Sequence, residues 1–161
     1  MYGSANTVKS VEMLEIIAFC LDDLEFCFRT TAIREIRGWG PATPIPHVPA
    51  AISGVMNLRG TVIPIIDLAR KLGMKSNKPN ERSAIVVAEV HGVAFGLVVD
   101  RVSDILTVRV DQIQPVPTLS VSDSDEYAEG IIVSPQGMIC FLNLERMFRN
   151  TDVNAVSMLV N

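Results

Sequence analysis

The sequence carries two imperfect copies of one pattern, and that doubling narrows the folds open to it more than any other feature. Gly54-Val55-Met56 precedes Ile63-Pro64-Ile65-Ile66-Asp67-Leu68, and Gly130-Ile131-Ile132 precedes Ile139-Cys140-Phe141-Leu142-Asn143-Leu144. Gly54 and Gly130 are 76 positions apart, as are Asp67 and Asn143. Earlier in each half, residues 26–36 align with residues 95–105 at a spacing of 69. There Ile33-Arg34-Glu35-Ile36 and Val102-Ser103-Asp104-Ile105 share an apolar-polar-acidic-apolar order. Two matches in the same order, offset by a short insertion, imply two copies of one small unit. Each copy is too short for a large core of its own, so the copies are expected to pack together around a shared one.

The apolar pattern is that of strands. Residues 14–21 and 24–29 flank Asp22-Asp23, a two-residue hairpin turn. Pairing outward from that turn puts Ile17, Phe19 and Leu21 on one face with Leu24, Phe26 and Phe28. That face is expected to be the core side, and the face with Ala18, Cys20, Glu25 and Cys27 to be partly covered. A second hairpin is predicted over residues 84–90 and 93–99 around His91-Gly92. Glu89 is the one non-apolar residue in 85–90, so both faces of that strand are expected to be buried. Residues 61–66 and 138–142 read as further strands. Pro64 lacks an amide hydrogen, which predicts an edge or a bulge there.

Short helices are predicted over 67–73 and 143–149, opened by Asp67 and Asn143 as N-caps and closed in the first case by Gly73. A third is expected over 31–37. The prolines in 38–49 and the Ser/Asp-rich stretch 120–126 read as loops. Residues 75–82 form a polar connector. Together these give a mainly β fold: two pseudo-repeated five-stranded SH3-like β-barrel lobes on a shared hydrophobic core, with short helices. The domain spans 12–150, its lobes roughly 12–75 and 82–150, with exchange of strands between them left open. Residues 1–11 and 151–161 are expected to be flexible ends, although 153–160 has the makings of a helical turn capping a lobe.

Composition removes several functions. The net charge of -4 over 161 residues argues against a nucleic-acid partner, which calls for a basic stripe. No apolar run reaches the length of a membrane span, and residues 1–10 lack the order of a signal peptide, so a cytoplasmic protein without membrane insertion is expected. Cys20, Cys27 and Cys140 are odd in number and lie in apolar stretches, reading as reduced, buried thiols. With only His47 and His91 besides, no metal-ligand spacing exists, and no cofactor is implied. No nucleophile–base motif or phosphate loop is visible.

One segment resists a purely structural reading. In Asn57-Leu58-Arg59-Gly60, Asn57 would tolerate positive φ and Gly60 would permit a reversal. No turn requires Arg59. An arginine, with its planar fork of donors, is a residue type that anchors interfaces. The second copy has Val133-Ser134-Pro135-Gln136 in this place, so function is expected in the difference.

These blocks resemble the CheW family of chemotaxis coupling proteins over residues 14–148. The resemblance is carried by Ile33-Arg34-Glu35-Ile36, by 48–60 (Val48-Pro49 through Arg59-Gly60), by Val62-Ile63-Pro64-Ile65-Ile66-Asp67-Leu68 and by 96–105. It implies a non-catalytic adaptor that binds the regulatory domain of the histidine kinase CheA and the cytoplasmic tip of chemoreceptors. Such an adaptor is recruited to membrane-associated receptor arrays. Carried over position by position, Arg59, Glu35 and Ile33 match receptor-contact positions. Asn57, Leu58, Gly60 and Gly96 match the surrounding motif and a second-half position. Kinase-binding candidates are Gly54, Val55, Ile63 and Ile65, and Glu35 is a candidate partner for Arg59. Trp39 and Arg101 depart from the family pattern.

Three other readings compete. One is the coupling-like module of a kinase or receiver-linked adaptor, disfavoured because no phosphotransfer or receiver segment follows before Asn161. Another is a small enzyme with Cys20 or Cys27 as nucleophile. The last is a small-molecule-binding barrel using the groove between lobes.

Overall fold

A computed structural model describes residues 11–117 and 127–148. The expected flexible ends, apart from residue 11, the 120–126 loop and the 153–160 turn lie outside those residues. In chain order the strands are β1 (Met13–Leu21), β2 (Leu24–Arg29), β3 (Ile33–Gly38), β4 (Ile52–Leu58), β5 (Thr61–Asp67), β6 (Ala84–Val90), β7 (Val93–Val99), β8 (Arg101–Arg109), β9 (Ile113–Gln114), β10 (Ala128–Ser134) and β11 (Gly137–Leu142). Helix α1 (Leu68–Lys71) follows β5 and α2 (Leu144–Met147) follows β11. Two sheets result, ordered β9-β10-β11-β2-β1-β8 and β3-β6-β7-β5-β4.

The strands are shared out in a way that neither half of the chain follows. The first sheet joins the β1–β2 hairpin to strands after residue 100, and the second holds β3 to β7. Each lobe thus takes its hairpin from one copy of the repeat and its remaining strands from the other. The parallel seams fall at equivalent places: Ile65 pairs with Gly96, and Phe141 with Cys27. Register shifts repeat too, at Ile33/Glu35 and Val102/Asp104 and again at Ile52/Gly54 and Ala128/Gly130.

Both faces of the first hairpin are buried. Ile17, Phe19, Leu21, Phe26 and Phe28 enter a core shared with Val86, Phe95 and Leu97 of the second sheet, Leu142 of the first and Phe148 at the end of α2. Leu24, at the turn, stays 56% exposed. The other face, expected to be only partly covered, is sealed more tightly: Ala18 and Cys27 pack inside the first lobe with Ile132, Ile139 and Phe141. The second lobe has its own interior of Leu58, Ile63, Ile65, Ile85 and Val87. The second hairpin pairs Val90 with Val93 across His91-Gly92, and 84–88 are buried throughout.

The helices begin where capping chemistry places them. Asp67 Oδ1 accepts from the Arg70 amide at 3.3 Å, and Asn143 Oδ1 from the Arg146 amide at 3.0 Å. Two expectations are corrected. Residues 31–37 are not a helix; a 3-10 turn (Thr30–Ala32) leads into strand β3. The extra residue Arg34 at the register shift returns Ile33 and Ile36 to one face, giving a three-residue apolar spacing that imitates helical periodicity. Pro64 lies on a strand between two neighbours, not at an edge. Opposite it, the Val55 amide and carbonyl both point away to Thr43 at 2.8 Å, and pairing with β7 starts only at Ile65. The ring therefore occupies a place where no ladder donor is required.

Candidate functional site

The turn between β4 and β5 is tighter than its sequence suggests. Leu58 pairs with Thr61, leaving Arg59 and Gly60 as a two-residue loop with φ of 50° and 89°. Positive φ at both positions fits the twist of paired strands. The expected left-handed residue, Asn57, is extended within β4 and serves the turn differently: its Oδ1 accepts from the Gly60 amide at 2.8 Å. Arg59 occupies the left-handed region that L residues rarely adopt. That aims its side chain across the mouth of the lobe.

There it meets Glu35. The guanidinium of Arg59 donates through Nη2 to Glu35 Oε1, and through Nη1 to Oε2 at 3.4 Å, a two-pronged pair joining the β4–β5 turn to β3. Since β3 and β4 are the two ends of the second sheet's order, the pair bridges the opening of the curled sheet over the Leu58–Ile63 interior. Hydrogen bonding to Arg59 holds the Glu35 carboxyl below the usual glutamate value of 4.5, while the same bond raises Arg59. A depressed folded pKa means that the pair's contribution to stability is present above the unfolded value and fades as pH falls through the folded one. Unfolding free energies of the native chain and Glu35→Gln should therefore differ most near neutrality and converge in acid, once pH has fallen through the lowered folded-state pKa. A gap that persists unchanged into acid would contradict the pairing.

The remaining candidates separate into surface and support. Arg59, Asn57 and Gly60 are exposed, and Ile33 is half-buried against the shared core. Leu58, matched to the same motif as Arg59, is buried. Gly96 is central in β7, where a Cβ would stand 2.8 Å from Ile65 and Ile85 carbons. Ile63 and Ile65 face the lobe interior, Gly54 is buried, and Val55 alone of the four kinase candidates is half-exposed. The structure thus brings Arg59, Glu35, Asn57 and Gly60 together and sets Gly96 apart. Sequence reasoning missed Val62, which is 42% exposed and pairs with Asn57 beside the turn. The alternation Val62/Ile63 was the available signal.

The thiols offer little chemistry. Burial pushes Cys20, Cys27 and Cys140 above the ordinary cysteine range, Cys27 furthest, so all three stay protonated at neutral pH. Among the described residues no group of three His, Cys, Asp or Glu side chains converges on a metal site, and no helix is long and apolar enough to cross a membrane.

Among the described residues the geometry offers an exposed arginine–glutamate surface on a molecule of two β-barrel lobes. A family model described as "CheW-like domain" matches residues 15–152, and the chain belongs to that family. It is 50% identical over 141 residues to a probable chemotaxis protein CheW of Rhizobium etli, covering 88% of this chain and 91% of the relative. To the chemotaxis protein CheW of Rhizobium meliloti it is 47% identical over the same shares. The crystal structure of the scaffolding protein TtCheW from Thermoanaerobacter tengcongensis superposes with a TM-score of 0.79 at 28% identity, over 88% of this chain and 96% of that one. The two SH3-like lobes expected from the repeat agree with that likeness. The chain is accordingly a chemotaxis scaffold and not an enzyme.

Proposed function

We propose that this chain couples chemoreceptors to the histidine kinase CheA, holding the receptor tip on one surface and the kinase regulatory domain on another. The observation that carries the reading is the Arg59–Glu35 pair, an arginine fork fixed on an exposed turn in a family of chemotaxis scaffolds. Pre-orienting the guanidinium lowers the entropy lost when a partner carboxylate or carbonyl meets it. Val62 and Asn57 supply adjacent apolar and polar surface. The kinase is assigned to the β4–β5 strand pair, where Val55 is half-exposed beside Thr43 and Gly54, Ile63 and Ile65 set the shape of the pair behind it. Working in the cytoplasm, the chain would join membrane-associated arrays through these contacts alone. Receptor state can bias the kinase only insofar as adaptor contacts differ between signalling states.

Arg59→Ala is expected to weaken binding to a soluble receptor-tip fragment roughly 5- to 30-fold, the loss of one interface anchor, with the thermal midpoint little changed. Calorimetric titration reads this directly. Equal affinity of a folded variant would remove Arg59 from the receptor surface.

A further inference from the structure

The mouth of the second lobe holds a charge that its arginine–glutamate pair does not answer. Strand β3 pairs Glu35 with Val87 and Arg37 with Ile85 on β6, and both partners belong to the interior of that lobe. Residues opposite each other in a ladder lie on one face of the sheet, so Glu35 and Arg37 share the face that Arg59 reaches across. Ile36, between them, pairs with Val86 of the shared core and looks the other way. Arg37 is half-buried, yet among the described residues no hydrogen bond or ion pair engages its guanidinium. Its charge is felt at Glu35, whose carboxyl is held down first by the Arg59 hydrogen bond and further by the charge of Arg37. Two arginines and one glutamate leave the mouth with one unmatched positive charge, on a chain of net charge -4.

The repeat shows that the fold does not require this charge. At the spacing of 69, Glu35 corresponds to Asp104 and Arg37 to Leu106; at 76, Arg59 corresponds to Pro135. Leu106 packs against the interior of the first lobe, so an apolar side chain serves the barrel at this position. A partner that covers the second lobe's mouth takes water from Arg37 as well as from Arg59. Arg59 keeps Glu35 as its counter-ion, whereas Arg37 would be desolvated without one, which is strongly unfavourable. We propose that Arg37 is a specificity residue of the receptor-facing surface and takes a carboxylate, from an aspartate or glutamate of the partner, beside the group that meets Arg59. The proposal rests on the coupling function given above. A guanidinium presents its donors as a planar fork that a carboxylate accepts through two parallel bonds. The same charge repels a partner that brings lysine or arginine to this place.

Calorimetric titration of the full chain with the soluble receptor-tip fragment, at about 0.05 M and about 0.5 M NaCl, tests this. Arg37→Gln should weaken binding roughly 3- to 10-fold at the lower salt, and the gap from the native chain should narrow at the higher. Arg37→Lys, which keeps the charge, should recover most of the loss. Arg34→Gln is the matched control, because Arg34 is exposed on the same strand and already engaged by Glu89; it should bind as the native chain does. Native affinity in Arg37→Gln overturns the proposal, as does a gap that salt leaves unchanged or an equal loss in Arg34→Gln. Arg59→Ala, titrated alongside, separates the two claims. Weakened binding there leaves the coupling function standing when Arg37 fails, whereas native affinity in both variants removes the receptor surface and Arg37 with it.

Discussion

Replacing Gly54 with alanine is expected to lower the unfolding free energy by about 3 kcal/mol or more, a large part of what a domain this size commands. Gly54 has φ of 147°, and a Cβ there would overlap the Thr43 carbonyl, with Pro44 Cα 3.1 Å away. Backbone is the obstacle, so no side chain can swing aside. The strained φ costs about 1–3 kcal/mol, and clearing the Cβ in addition requires the Pro-rich loop to lift, which loses the two 2.8 Å hydrogen bonds between Thr43 and Val55. Gly60→Ala is the control: φ is 89°, yet nothing lies within 4 Å, so only backbone strain remains. Urea titrations should show a much lower midpoint for Gly54→Ala than for Gly60→Ala at similar slope. Equal midpoints would mean that the loop does not bear on Gly54.

Phe19→Ala is expected to cost about 3–5 kcal/mol, the usual range for deleting a fully buried ring. Phe19 meets Phe28 in a tilted ring pair, 4.8 Å between centroids, and belongs to the core shared by both sheets. The consequence for cooperativity is more telling. Phe19 lies in the first sheet, whereas Trp39, the single tryptophan, follows β3 of the second and donates its amide to Ser83 at 3.1 Å. Because each lobe borrows its hairpin from the other copy, loss of Phe19 should move Trp39 fluorescence and far-UV dichroism together, in one transition. A Trp39 signal that stays put while dichroism splits into two steps would contradict interlocked lobes.

The repeat made the fold legible because equivalent residues meet equivalent tasks. Asp67 and Asn143 announce helix starts by their capping oxygens, and Asp22-Asp23 and His91-Gly92 announce hairpins. What one-dimensional spacing concealed was the exchange of hairpins, which depends on which copy a parallel strand chooses: Ile65 beside Gly96 instead of Cys27. The register shift at Arg34 misled in another way, since an inserted strand residue and a helical turn both bring Ile33 and Ile36 to one side.

The site was half legible. Arg59 stood out because no turn calls for arginine, and Glu35 was reachable as a carboxylate in a matching block. Their pairing was a candidate from the outset, but its two-pronged geometry was not legible, because it closes the two ends of a curled sheet from positions 24 residues apart. Leu58, Ile63, Ile65 and Gly96 look like surface candidates when read as a motif, yet all four are buried: the first three form the lobe interior beneath the Arg59 turn, and Gly96 lies apart in β7. Val62 went unnoticed since a valine among isoleucines reads as core until the strand's facing is known.

The central claim, that one chain joins two partners, is tested most directly by co-sedimentation with vesicles bearing receptor tips. With the chain present, the kinase regulatory domain should pellet with the vesicles, and it should remain in solution when the chain is left out or carries Arg59→Ala. Sedimentation of the regulatory domain in equal amount without the chain would contradict the account, and so would a chain that releases one partner on binding the other.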